Sequence, residues 1–258
     1  MRLSKENAKS TLFLDFDNTL FPSKELGTGA LQAVFTHLEK NGYGSSNQLR
    51  VLYESIKKKR KKILKHSTSN RLRILFFKEM LESIQGSFTK RDSAYLLELE
   101  KVYYKSFQTQ IKEFKEANLI FYRKVFRKLR QISKKHSILI VSNENLRTQL
   151  HKYSAFFPKN LQIPILCSEE IGVEKPTKNF FQKALEISNA IPKNTLMIGD
   201  SLEDDIKGAK QFKIACVHQT GIIDSNPEEK VLPKKDLWIS KNLFDSLLFF
   251  ESGAWKKK

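Results

Sequence analysis

The chain has 258 residues, 40% of them hydrophobic, with 46 Lys and Arg against 28 Asp and Glu for a formal net charge of +18. That composition buries a sizeable core in one or two domains and excludes a disordered chain, while the charge favours anionic partners without specifying a fold. Two cysteines, Cys167 and Cys216, sit in apolar runs and read as buried, reduced thiols; with five scattered histidines they show no zinc-site spacing. The opening MRLSKENAKS lacks the apolar run of a signal peptide, and no segment has the roughly eighteen continuous apolar residues of a membrane span. A soluble, cytoplasmic protein is expected, with no membrane partner.

In chain order, residues 11–16 predict a short buried strand. From about 22 to 117 the pattern is helical: GALQAVFTHLEKNG, NRLRILFFKEMLESIQG and SAYLLELEKVYYKSFQTQ carry apolar residues three and four apart, and the first two end at Gly. GTG at 27–29 lacks both the third glycine and the strand–helix setting of a dinucleotide loop. From about residue 118 the pattern alternates. A basic amphipathic helix, with Phe126 and Leu129 on its apolar stripe, leads to the strand SILIVS. Then come a helix near 145–156, the run LQIPILCS, a helix from Asn179, TLMIG, a helix from Leu202, IACVH, LWIS and a C-terminal helix. Alternation of this kind predicts an α/β fold, a doubly wound, Rossmann-like parallel sheet covered on both faces. Residues 1–21 and 118–258 would form that core, with 22–117 inserted as an α-helical domain.

In such sheets, sites form beyond the carboxyl ends of the strands. After the first strand stand Asp15, Asp17, Asn18 and Thr19; after SILIVS, Ser142, Asn143 and Glu144; after TLMIG, Asp200, Ser201, Glu203, Asp204 and Asp205; and in the loop IGVEKPT, Lys175. Several carboxylates at one sheet edge repel one another. A hard divalent cation relieves that repulsion, and Mg²⁺ suits one or two carboxylates plus water and phosphate oxygens. If strand geometry lapses after Asp15, the Asp15 and Asp17 side chains diverge and can serve two roles, one as nucleophile and one as acid/base. A nearby lysine would offset charge on a transferring group, and Ser142, Thr19 or Asn143 could hydrogen-bond phosphate oxygens.

These residues resemble the four motifs of the haloacid dehalogenase (HAD) superfamily, in order: DFDNT after an apolar strand, ILIVSN, GVEKP and MIGDSLEDDIKGAK. In position and character, 22–117 is similar to the superfamily's type-1 helical cap. The resemblance implies that Asp15 is the nucleophile that becomes phosphorylated and Asp17 the general acid/base. It implies that Asp15, Asp200 and the Asp17 backbone carbonyl hold Mg²⁺, that Ser142 binds the phosphate with Asn143 beside it, and that Lys175 stabilises the phosphoryl oxygens and Asp15. Thr19 would support the site, and Asp204 or Asp205 would orient the metal shell or Lys175; the sequence leaves open which. Asp17 also separates reactions, because dehalogenases of the family usually carry tyrosine there and phosphonate-cleaving members alanine. The resemblance therefore implies a Mg²⁺-dependent phosphatase acting on a small anionic phosphomonoester through an aspartyl phosphate, with phosphomutase chemistry as a variant. Lys213 departs from the pattern, since relatives often have glycine in that turn.

The run KKKRKK at 57–62, extended by Lys65, Arg71 and Arg73, is the loudest basic feature. It reads first as a solvated helix face, with attraction of an anionic substrate or a nucleic-acid patch as alternatives. A nucleic-acid or protein-binding module on the same scaffold, with weak or secondary hydrolysis, is thus the competing function. The complete motif set favours the phosphatase.

Overall fold

The computed structural model describes residues 9–65, 67–223 and 231–257; the first eight residues of MRLSKENAKS, the segment expected not to be a signal peptide, lie outside them. Along the chain the helices are α1 (Ser23–Lys40), α2 (Ser46–Ile63), α3 (Arg73–Gln85), α4 (Lys90–Ala117) and α5 (Leu119–Lys135). There follow α6 (Leu146–Phe156), α7 (Ser168–Ile171), α8 (Lys178–Ile187), α9 (Lys207–Lys210) and α10 (Leu243–Ser252). The strands are β1 (Thr11–Leu14), β2 (Ser137–Ser142), β3 (Ile165–Cys167), β4 (Thr195–Gly199), β5 (Ala215–Gln219), β6 (Leu232–Lys234) and β7 (Leu237–Ser240). The chain divides into two compact units, one built from the residues up to Pro22, Asn118–Asn143 and Phe157 onward, the other from Ser23–Ala117 and Glu144–Phe156.

The first unit holds one seven-stranded sheet in the order β3-β2-β1-β4-β5-β7-β6. All pairings are parallel except β6 with β7. β1 is central, with Leu14 opposite Ile140 on one side and Ile198 on the other. Leu12, Phe13 and Leu14 are fully buried, as expected of a strand covered on both faces. β6 was not expected: Leu-Pro-Lys is too short and too exposed to carry a strand pattern, and Pro233 fits only an edge. The basic helix α5 buries Tyr122, Val125, Leu129 and Ile132. Both cysteines are buried thiols outside any disulfide.

The helix expected from Leu202 begins instead as one π-helical turn, Leu202–Ile206, that runs into the four residues of α9. The segment closes with the Lys213 N–H donating to the Lys210 carbonyl and the Ile214 N–H to the Ala209 carbonyl, the two bonds of a Schellman cap. Lys213 occupies the left-handed position at φ +57°, where glycine is the unstrained residue. Its departure from the family pattern thus has a physical cost.

The second unit packs α1 to α4 and α6 around Phe35, Tyr53, Phe77, Met80, Tyr103 and Phe107. Ser45 and Gln48 form a capping box at the start of α2, and Gly86 ends α3 at φ +80°. The GTG glycines lie inside α1. One boundary differs from expectation: α6, predicted to belong to the α/β core, groups with the helical unit. The reason is polar as much as apolar. α6 buries Thr148, Gln149 and Lys152, and α4 supplies partners along its length: the Tyr104 hydroxyl lies 2.9 Å from that of Thr148, and Glu100 is 2.7 Å from Arg147. Lys115 of α4 donates to the Phe156 carbonyl at 2.9 Å.

KKKRKK lies in α2 as a mixed face. Lys57 pairs with Glu54 at 2.9 Å, Lys59 with Glu79 at 2.7 Å, and Arg60 also with Glu79, while Lys58 and Lys62 are exposed. Arg73 donates to the Glu144 carboxylate at 3.2 Å and to the Arg71 carbonyl at 3.0 Å. No helix among the described residues is long and apolar enough to cross a membrane.

Candidate active site

Asp15 is the first residue past β1, and its N–H still donates to the Ile198 carbonyl of β4 at 2.9 Å, so the central strand delivers it directly to the sheet edge. The chain then turns. Asn18 takes φ +59°, a conformation asparagine tolerates, and its N–H donates to the Phe21 carbonyl at 3.0 Å. Strand geometry therefore lapses between the two aspartates: Asp15 is buried, and Asp17 is half-buried within the turn. Thr19 is fully buried. Its hydroxyl donates to Asp15 Oδ2 at 2.9 Å and accepts from the Asp200 N–H at 3.1 Å, joining the ends of β1 and β4.

Lys175 is 3% exposed. Its ammonium donates to Asp15 Oδ1 at 2.6 Å, Asp205 Oδ1 at 2.7 Å and the Val141 carbonyl at 2.9 Å. Ser142 ends β2 and is buried. Asn143 was expected beside the phosphate, but its carboxamide faces the Lys175 peptide, Oδ1 accepting from the Lys175 N–H at 2.7 Å and Nδ2 donating to the Lys175 carbonyl at 2.8 Å.

The π-turn after β4 separates the two acids whose roles the sequence left open. Asp205 is buried, with Oδ1 on Lys175 and Oδ2 accepting from the Ser201 N–H at 3.1 Å. Asp204 is half-buried, and its N–H is capped by the Ser201 hydroxyl at 3.0 Å. Gly199 makes this geometry possible: a Cβ there would lie 2.3 Å from Asp205 Oδ2. His218 is one of the scattered histidines and stands outside the four motifs. It is the penultimate residue of β5, opposite Gly199 of β4, and its Nε2 lies 2.9 Å from the Asp200 carbonyl, which can only accept, so Nε2 carries the proton. Its place at a strand's carboxyl end was the signal available in the sequence.

Asp15, Asp200 and Asp205 each offer one oxygen, and these oxygens lie within 4.8 Å of one another. Burial pushes the Asp15 carboxyl well above its usual range; Lys175 opposes the shift, and Asp205 and Asp200 add to it. Asp200 is pushed up to about 6, by burial first and then by Asp205. Burial also disfavours the Lys175 ammonium, but Asp15 and Asp205 outweigh it and hold the lysine above its ordinary range. The edge thus carries more acid than one lysine neutralises. An all-carboxylate donor set with surplus negative charge fits a hard divalent cation.

The haloacid dehalogenase-like hydrolase family model matches residues 9–213. The chain is 26% identical to the ribulose-1,5-bisphosphate 5-phosphatase of Halopiger xanaduensis over 211 residues, covering 81% of this chain and 84% of that protein. It is 23% identical to the N-acylneuraminate-9-phosphatase of Homo sapiens over 229 residues, covering 86% and 87%. Among solved structures, the 2-haloacid dehalogenase of Pseudomonas syringae pv. Tomato DC3000 aligns with a TM-score of 0.60 at 19% identity, over 95% of this chain and 99% of that one. The HAD phosphatase of Thermococcus onnurineus aligns with a TM-score of 0.58 at 18% identity, over 94% and 97%. Those two likenesses carry the fold, a Rossmann-like HAD sheet. The chain belongs to the haloacid dehalogenase-like hydrolase family. With the relatives that match it over most of their length named as phosphatases, it is a hydrolase of the phosphatase type.

Proposed function

We propose that the protein hydrolyses a small phosphomonoester in a Mg²⁺-dependent reaction that passes through a phosphorylated Asp15. The observation that carries this reading is the buried Lys175 ammonium shared by Asp15 and Asp205 at the sheet edge, with Asp200 alongside. Asp15 and Asp200, with the Asp17 backbone carbonyl, would hold the Mg²⁺; Asp205, with both oxygens engaged by Lys175 and Ser201, supports the lysine. The bound cation would supply charge neutralisation for the phosphoryl oxygens and the crowded carboxylates.

In the first step an Asp15 oxygen attacks phosphorus, a P–O bond to Asp15 forms and the bond to the ester oxygen breaks. Asp17 gives its proton to the departing oxygen. In the second step Asp17 takes a proton from water, the water oxygen attacks phosphorus, and Asp15 leaves as carboxylate with inorganic phosphate released. Lys175 opposes the burial that favours the neutral Asp15 acid, and it offsets charge on the transferring group. Ser142, at the end of β2, supplies a hydroxyl for the phosphoryl oxygens. Asp17, where the dehalogenases of the family usually carry tyrosine, supports phosphate-ester chemistry. The relatives named for ribulose bisphosphate and N-acylneuraminate phosphate put phosphorylated sugars first among candidate substrates.

The test is phosphate release from sugar phosphates, nucleotides and an aryl phosphate, with and without Mg²⁺. Wild type turns over at least one ester only with Mg²⁺, and Asp15→Asn lowers that rate by about a thousandfold or more. Turnover that survives Asp15→Asn, or a wild type inert on every ester, overturns the reading.

A further inference from the structure

We propose that Asn143 is a positioning residue that acts through Lys175, gripping the lysine's peptide so that its ammonium is delivered between Asp15 and Asp205; the inference rests on the phosphatase reading of the site. It replaces the expectation of a direct phosphate contact. Lys175 and Pro176 are the two central residues of a tight turn closed by the Thr177 N–H donating to the Glu174 carbonyl at 3.0 Å. That closure uses neither the N–H nor the C=O of Lys175, and Pro176 has no N–H to offer. A buried peptide group left unpaired is costly, so both need partners from elsewhere. Asn143 provides both, at 2.7 and 2.8 Å, in the reciprocal pattern two paired strands use.

The grip is reinforced on the far side. The Pro176 carbonyl accepts from Gln211 Nε2 at 2.9 Å, and the backbone of Gly208 comes so close that a Cβ there would stand 3.0 Å from Pro176 Cα. The other end of the lysine is fixed by the same strand that carries Asn143. All three ammonium protons have acceptors, and one is the Val141 carbonyl, two residues before Asn143. The end of β2 therefore holds Lys175 at its backbone and at its head, and little freedom remains in the four-carbon stem between. A direct phosphate ligand would need its amide aimed at the substrate; this one spends its acceptor and a donor on a peptide.

The test is a double-mutant cycle in the full chain with Mg²⁺, using an aryl phosphate and comparing wild type, Asn143→Ala, Lys175→Met and the double variant. In the wild-type background, Asn143→Ala lowers kcat by about tenfold to a hundredfold and moves KM by less than about twofold. In the Lys175→Met background the same change costs less than about twofold, because its effect runs through the lysine. Equal losses in both backgrounds, or a raised KM with kcat kept, would show direct phosphate contact and overturn the proposal. Single-turnover rates of the same four proteins give the same comparison where steady-state turnover is slow, and Asn143→Ser replaces the alanine variant where that variant does not fold. Hydrogen exchange at the Lys175 amide separates the two readings. A wild type that turns over no ester removes the phosphatase, whereas a Lys175 amide that exchanges equally fast in wild type and Asn143→Ala removes the grip.

Discussion

Two ionic clusters, one in each unit, have opposite arithmetic. At the edge of the α/β sheet, two acids, Asp15 and Asp205, share the single ammonium of Lys175, and Asp200 crowds them. In the helical unit, two bases, Lys59 and Arg60, share the single carboxylate of Glu79. In the first cluster Asp15 and Asp200 are driven toward protonation, by burial above all. For Glu79 burial acts in the same direction, but Lys59 and Arg60 outweigh it and hold the carboxyl below its usual range. The net charge of +18 describes the surface and misleads about the site, which is the place in a basic protein where a cation is wanted. Crowded like charges that a ligand can relieve mark function; a carboxylate already matched by its neighbours marks stability.

Four substitutions break or sharpen this contrast, from the largest effect to the smallest. Gly199→Ala drives a methyl into the Asp205 carboxylate and through it disturbs Lys175. A fall in kcat of about a hundredfold and a loss of about 1–3 kcal/mol in urea unfolding are expected; wild-type activity would mean that Asp205 does not govern the lysine. Asp200→Asn removes one of three crowded carboxylates, so in EDTA at pH 7 the variant is more stable than wild type by about 1 kcal/mol, a modest figure because Asp200 is only half-buried. It also loses the rise in Tm that Mg²⁺ gives wild type. A destabilised variant would mean that the acids are not in mutual repulsion.

Glu79→Gln leaves Lys59 and Arg60 facing a neutral amide and costs about 1 kcal/mol at pH 7 and low salt. The sign with pH follows from the lowered native value: unfolded glutamate takes up its proton first, so the contribution is complete above the ordinary glutamate range. As pH falls through the native value the wild type and the variant converge, which unfolding curves at successive pH values would read. Lys213→Gly relieves the left-handed lysine and gains up to about 1 kcal/mol with no change in turnover. It is the control outside both clusters, since its gain is a backbone term that salt leaves untouched.

The strand ends were legible because apolar runs stop at them, and the acids follow directly on those runs in the sequence. The parallel sheet was legible from alternation alone. Three features were not. Asp204 and Asp205 are neighbours of one type, and only the π-turn decides that Asp205 bonds Lys175. The direction of the Asn143 amide depends on a turn 32 residues further along, which no local pattern encodes. The allegiance of α6 depends on polar partners in α4, while its own periodicity states only that it is a helix. Lys213 is the intermediate case: the mismatch with the family pattern was visible, and its meaning waited on a torsion angle.

The placement of α6 has a consequence for how the molecule can be taken apart. A simple insertion would be joined to its host by two peptide links, but here the chain passes between units at 22/23, 117/118, 143/144 and 156/157. The helical unit is therefore stitched in rather than appended. Splicing out residues 23–117 would leave α6 behind, three residues after Asn143, with Thr148 and Arg147 stripped of Tyr104 and Glu100. Exchange of helical units among relatives would carry over intact only as a paired transplant of both segments.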